Sequence, residues 1–143
     1  PNGTSDDTYE GAYNAAKELL TKYPEIKLFR TCSSLEPTGV AKAIDELGLK
    51  GKVSIVGTGT PNDLRGLVED GTMAYICTWD PAAACYAMLT LAQKILSGEA
   101  IEDGVDLKAD GWNEMHFFDE DQTALSGQGW LVINKDNVND YNF

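Results

Sequence analysis

The sequence predicts an α/β fold in which a parallel sheet carries flanking helices joined by right-handed crossovers. Two observations carry this expectation. Short apolar runs alternate with longer segments of helical period, and three of the runs stop at a small polar loop from which a proline opens the next helix. The first is Ile26-Lys27-Leu28-Phe29, before Thr31-Cys32-Ser33-Ser34-Leu35-Glu36-Pro37. The second is Val53-Ser54-Ile55-Val56, before Gly57-Thr58-Gly59-Thr60-Pro61, and the third is Met73-Ala74-Tyr75-Ile76-Cys77, before Thr78-Trp79-Asp80-Pro81. In such a sheet, ligands bind outside the carboxyl ends of the strands. The three loops gather there and form the candidate site.

Each helix has its own boundary signals. In the first, from about Asp7 to Lys22, Tyr9, Ala12, Tyr13, Ala16, Leu19, Leu20 and Tyr23 recur at helical spacing, and Pro24 stops it. The second, about Pro37 to Leu47, places Val40, Ala41, Ile44 and Leu47 on one side and ends at Gly48. The third, Pro61 to Glu69, follows Thr60 as N-cap, with Asp63 in a capping-box-like position and Gly71 beyond its end. The fourth opens on Asp80-Pro81 and runs through Leu96 to Gly98. Its apolar residues cover most of its circumference, so it needs cover on more than one side. Beyond a polar connection, Glu114 to Phe118 and Trp130 to Ile133 read as strands, and Lys135 to Tyr141 as a short terminal helix.

A chain of 143 residues with 43% hydrophobic content can build the core of one domain or part of one. Its 23 acidic against 11 basic residues, a formal charge of −12, oppose a nucleic acid or an anionic membrane surface as partner. No stretch approaches the roughly twenty apolar residues that span a bilayer. The start Pro1-Asn2-Gly3-Thr4, with neither an initiator Met nor a signal peptide, predicts a processed or truncated product and leaves the compartment open.

The loops offer hydroxyls and amides rather than charge. Gly57-Thr58-Gly59-Thr60 before a helix N-terminus suits an anion cradle or, more simply, a tight turn with a capped helix. It lacks the Lys of a phosphate loop and the glycine spacing of a dinucleotide site. Trp79 beside Asp80 suits a polyol, whose C–H face stacks on an aromatic ring while its hydroxyls donate to the carboxylate. Asp80 as a helix cap is the competing reading. Cys77 and Cys85 read as core thiols. Cys32 lies in a site loop without a His or Lys in any linking pattern, so a catalytic thiol is not expected. His116, between Met115 and Phe117, reads as a strand residue rather than a ligand, and Asp119-Glu120-Asp121 as an exposed acidic turn without calcium-loop spacing. No catalytic residue, metal or cofactor is predicted.

Several segments together carry a resemblance: Tyr9 to Tyr23 with Pro24, Val53 to Asn62, Asp70-Gly71-Thr72, Trp79-Asp80, and the ending Ile133-Asn134-Lys135-Asp136-Asn137-Val138-Asn139-Asp140-Tyr141-Asn142-Phe143. Their order resembles type I periplasmic sugar-binding proteins, most closely the rhamnose and autoinducer-2 branch, and corresponds to the carboxyl-terminal half of such a protein. The resemblance implies two Rossmann-like lobes closing on a sugar or sugar-like signal that is passed to an ABC transporter permease. The implied setting is periplasmic or extracellular, with the full-length form a membrane-anchored lipoprotein. Residues 1–78 would form part of the carboxyl-terminal lobe. Residues 79–122 would supply a helix and strand of the amino-terminal lobe, and residues 123–143 the return crossing and terminal segment.

By the same resemblance Cys32, Ser33 and Ser34 match a loop that touches ligand, and Thr58 and Gly59 accompany them. Gly59 falls where ribose-type relatives carry an acidic contact, and Thr31 where the autoinducer-2 branch tends to have proline. Asp80, with Trp79, matches the polar position just after the last strand of the lobe and leads the candidate set. The bare fourth helix predicts a homodimer of the fragment in the absence of the other lobe. The effector-binding part of a sugar-responsive transcription regulator, which shares this fold, is the first alternative. A flavodoxin-like nucleotide enzyme is disfavoured by the missing phosphate motif.

Overall fold

A computed structural model describes residues 1–143 as two compact units, one of Pro1–Thr78 with Val132–Phe143 and the other of Trp79–Leu131. The chain runs α1 (Tyr9–Lys22), β1 (Leu28–Thr31), α2 (Glu36–Glu46), β2 (Ser54–Gly57), α3 (Pro61–Glu69), β3 (Met73–Trp79) and α4 (Pro81–Leu96). It continues through β4 (His116–Phe117), β5 (Leu125–Ser126) and β6 (Trp130–Ile133) to a 3-10 turn at Val138–Asp140. Strands β1, β2, β3 and β6 form one sheet in that order. β1 and β2 pair in parallel, Leu28 opposite Ser54 and Thr31 opposite Gly57, and β2 pairs in parallel with β3. The α/β fold class, a parallel sheet with flanking helices of Rossmann-like pattern, is therefore present.

Local chemistry accounts for the ends of the helices. Thr8 caps α1, which begins at Tyr9: its Oγ1 accepts from the amide of Gly11, while Asp6 and Asp7 take positive φ values in the turn before it. Gly48, Gly71 and Gly98 end α2, α3 and α4 with φ of +65, +81 and +77, the left-handed geometry that costs glycine least. α1 settles on α2 because Gly39 presents no side chain. A Cβ there would meet the carbonyl oxygen of Tyr9, lie 3.0 Å from the amide of Tyr13 and 3.1 Å from Ala12 Cβ.

Under these helices lie Ile44, Ile55, Leu64, Met73, Ile76, Ile133 and Val138, each buried almost completely. Full burial of such a side chain contributes about 1.5–3 kcal/mol. The last residues close over α3. Nη1 of Arg65 donates to the carbonyl of Val138 and to Asn139 Oδ1, both at 2.8 Å. Its Nη2 donates to Asn62 Oδ1 at 3.1 Å and the carbonyl of Tyr141 at 3.0 Å.

The second unit has a smaller core, in which Ala87, Leu107 and Met115 are buried with Leu91, Val105, Ala109, Trp112 and Leu125 packed around them. Ala87 is the one buried residue of α4. Tyr86, Met88, Leu89, Ile95 and Leu96 remain 58–87% exposed. Cys85 shares that bare side, so the expectation of a core thiol fails there. A core of three buried residues covers one stripe of a helix that is apolar nearly all round. Cys77 is half-buried.

Several boundaries differ from the sequence reading. β1 begins at Leu28 and runs to Thr31, and β3 continues through Thr78 and Trp79, because pairing with a neighbour extends a strand beyond its apolar run. The strand expected over Glu114 to Phe118 shrinks to His116–Phe117, paired antiparallel with Leu125–Ser126, a strand with too short a pattern to predict. The terminal helix reduces to the 3-10 turn. No helix is long and apolar enough to cross a membrane.

Candidate functional site

At the carboxyl ends of β1 and β2, the register that sets Thr31 opposite Gly57 brings two loops side by side: Cys32 to Leu35, and Thr58 to Thr60. Cys32 and Ser34 are exposed, Ser33 and Thr58 half-buried, and Gly59 buried. The sheet edge thus offers a thiol and hydroxyls, in keeping with the polar loops of the sequence. Ser33 Oγ accepts from the amide of Leu35 at 3.3 Å, which bends the loop into the start of α2.

Glu36, which the sequence reading passed over, organises this loop. Its Oε2 accepts from the amides of Cys32 at 2.7 Å and Ser33 at 3.1 Å, and its Oε1 accepts from Ser5 Oγ at 2.5 Å. Burial alone would raise the Glu36 carboxyl, but the Ser5 hydroxyl and these two amides outweigh it and hold the group below the usual glutamate range. A Glu directly before the proline that opens a helix was the available sequence signal.

The Gly57 to Thr60 turn is packed at Gly59, and the helix it opens has one of its first amides already taken. The amide of Asn62, in the first turn of α3, donates to the carbonyl of Phe143 at 3.1 Å, so a donor expected to face solvent is already occupied. Thr60 Oγ1 donates to Asp63 Oδ2 at 2.7 Å and makes no cap to the helix amides. A Cβ on Gly59 would strike the side chain of buried Leu64. Packing therefore accounts for a glycine at the position where the resemblance pointed to an acidic contact. A groove of about 420 Å³ flanks β1 and includes Ser5, Thr31, Cys32 and Glu36, but not Ser33, Ser34, Thr58 or Gly59.

Within the second unit Asp80 caps α4: its Oδ1 accepts from the amides of Ala82 at 2.7 Å and Ala83 at 3.1 Å. These bonds leave Oδ2 open to another donor. Trp79, 43% exposed, stands against Trp130 with ring centroids 5.9 Å apart and planes tilted by 31°. In the sequence Trp130 only opens an ordinary strand pattern, and nothing there marks it as a neighbour of Trp79.

The remaining candidates take the structural roles expected of them. His116 lies in β4, exposed, with Nδ1 3.0 Å from Asp103 Oδ2. The hydrogen bond to Asp103 raises the imidazole and lowers the Asp103 carboxyl, two shifts that agree. Asp119 folds its turn by accepting from the hydroxyl and amide of Thr123, which hold its carboxyl below the usual range.

Residues 1–100 match the model of the periplasmic binding protein domain. Among solved structures, the chain is similar to a sugar ABC transporter protein from Actinomyces odontolyticus ATCC 17982, at 28% identity and a TM-score of 0.78. That match covers 97% of this chain and 44% of the other. LsrB from Clostridium saccharobutylicum, solved in complex with AI-2, is similar at 23% identity and a TM-score of 0.69, over 97% of this chain and 47% of that one. An ABC transporter solute-binding protein from Clostridium phytofermentas, solved with bound L-rhamnose, is similar at 19% identity and a TM-score of 0.70, over 96% and 46%. The last two speak to fold alone. This chain spans less than half the length of each. With helices on a parallel sheet and a match over its first hundred residues, the chain belongs to the periplasmic binding protein domain family.

Proposed function

We propose that this chain is the carboxyl-terminal half of a solute-binding protein that captures a sugar or sugar-like signal for an ABC importer and carries out no chemistry. Rhamnose, another monosaccharide and an autoinducer-2-type compound are the ligands in view. The implied setting is periplasmic or extracellular, with a membrane permease as partner and a lipid anchor on the full-length form. The observation that carries the reading is the hydroxyl-rich carboxyl edge of β1 and β2, within a chain of this family.

In this reading residues 1–78 belong to the carboxyl-terminal lobe, 79–122 to the amino-terminal lobe, and 123–143 to the return crossing and terminal segment. The ligand set is Asp80, Trp79, Ser33, Ser34, Cys32, Thr58 and Gly59, the last through its backbone. Support for Asp80 and Trp79 comes from the unengaged Oδ2 and the half-exposed indole.

Calorimetry with rhamnose, ribose and autoinducer-2 tests this, using this chain and a protein carrying both lobes. The two-lobe protein binds one of them, and this chain alone binds weakly, since closure supplies the other half of the contacts. In the two-lobe protein, Asp80→Asn lowers affinity by about 1.5–3 kcal/mol through loss of an ionised acceptor. The melting temperature changes little, because Asn caps a helix as well as Asp does. Unchanged affinity would leave Asp80 as a cap alone, and micromolar binding by this chain would refute the shared site.

The exposed side of α4 completes the proposal. In the two-lobe protein that side packs within the amino-terminal lobe. In this chain alone two copies cover each other's α4, because exposed apolar patches above several hundred Å² recruit partners. Light scattering at micromolar concentration then gives twice the monomer mass. A strictly monomeric, folded species would remove both the dimer and the assignment of α4 to the other lobe.

A further inference from the structure

We propose that Glu36 is the positioning residue of the Cys32–Ser34 loop and that, by occupying the Cys32 and Ser33 amides, it sets this edge of the site against anionic ligands. The inference rests on the reading of that loop as a ligand loop. α2 starts without the usual device: its N-cap position is Leu35, which has no side chain to offer the helix amides. Glu36 instead turns back along the chain. One carboxylate collects three donors, the amides of Cys32 and Ser33 and the hydroxyl of Ser5, which lies 31 residues away in sequence. A planar acceptor held on both oxygens fixes the loop relative to α2 and to the segment before α1. A negative charge in the first turn of a helix is also favoured by the helix dipole.

The consequence for recognition follows from which donors remain. Anions are commonly held by free backbone amides at a strand-to-helix turn. In this unit the amides of Cys32 and Ser33 are bound to Glu36, and that of Asn62 is bound to the carbonyl of Phe143. The loop presents the Ser33 and Ser34 hydroxyls and the Cys32 thiol, next to a carboxylate kept ionised. Such a surface accepts a neutral polyol and repels a phosphorylated or carboxylated sugar.

Amide hydrogen exchange on this chain tests the positioning role without any ligand. Glu36→Ala accelerates exchange at Cys32 and Ser33 by about tenfold or more, while Ile55 and Ile76 exchange as before. Glu36→Gln, which keeps one acceptor oxygen, restores much of the protection. Unaltered exchange at Cys32 and Ser33 in Glu36→Ala would overturn the proposal. If that variant fails to fold, a carboxyl titration of the unmodified chain by NMR decides. Glu36 then titrates below the ordinary glutamate value, and a midpoint at or above that value would overturn the proposal.

The selectivity is read in the two-lobe protein with ribose and ribose 5-phosphate. The unmodified protein prefers ribose by about tenfold or more, and Glu36→Gln narrows that preference. Equal preference in the two proteins would overturn the selectivity. Failure of every sugar to bind any variant would overturn the ligand reading and the selectivity with it, leaving the exchange result to stand for the loop's positioning.

Discussion

Gly57→Ala lowers the stability of this chain by about 3 kcal/mol, at the upper end of ordinary overpacking costs, and loosens the carboxyl edge of the sheet. Gly57 closes β2 directly opposite Thr31 of β1. A Cβ there would overlap Thr31 Oγ1 and lie 2.6 Å from the Thr31 carbonyl oxygen and 3.0 Å from its Cβ. Of these obstacles the hydroxyl can be removed, but the carbonyl belongs to the backbone on which the Cys32–Ser34 loop begins. Thr31→Ala combined with Gly57→Ala therefore recovers about half of the loss. Thr31→Ala alone costs little, since Thr31 Oγ1 is buried without a hydrogen-bond partner and its removal relieves an unpaired polar group. Urea unfolding followed by circular dichroism measures all three variants. A Gly57→Ala chain within about 0.5 kcal/mol of the parent, the range of a neutral surface change, would show that β1 and β2 separate there without strain.

Arg65→Ala costs about 2–3 kcal/mol and frees the carboxyl-terminal segment. The guanidinium donates to two backbone carbonyls, Val138 and Tyr141, and to the side chains of Asn139 and Asn62. A hydrogen bond from a charged donor contributes about 1.5–3 kcal/mol. Four bonds through one half-buried group do not add, because they share one side chain and water replaces some of them. Arg65→Lys recovers less than half of the loss, since one ammonium cannot span acceptors set around a planar fork. Amide exchange at Val138 and Asn62 rises in Arg65→Ala before the core opens. Val138 is fully buried and Asn62 is held by the carbonyl of Phe143, so protection that stays at the parent level would refute the clamp. The prediction also bears on the site, because release of Phe143 returns the Asn62 amide to solvent at the start of α3.

Elements whose signals lie within a few residues are legible in the order of amino acids alone. Pro37, Pro61 and Pro81 fall in the first turns of α2, α3 and α4, and Gly48, Gly71 and Gly98 follow their ends with positive φ. Asp80 as a cap is equally local, since its two bonds reach only to Ala82 and Ala83. Proline geometry, glycine's freedom and a short acceptor side chain act on the nearest turn of backbone, whatever else the chain does.

Contacts between distant segments are not legible in this way. Nothing in the order of residues marks Glu36 as the partner of Ser5, or Arg65 as the partner of Tyr141, 76 residues on. Cys85 reads as a core thiol because its helix is apolar, and its exposure depends on how little of the second unit packs against that turn. By itself the sequence determined the alternation of the main strands and helices, the proline starts and glycine stops of α2 to α4, the Asp80 cap, and the polar character of the loops at the sheet edge. Only the tertiary structure decided which amides those loops still offer, that Gly59 is needed over Leu64, and that Trp130 stands beside Trp79. The physical reason is that periodicity and capping are fixed by neighbours along the chain. Hydrogen-bond occupancy and burial are instead fixed by whichever distant group arrives when the chain folds.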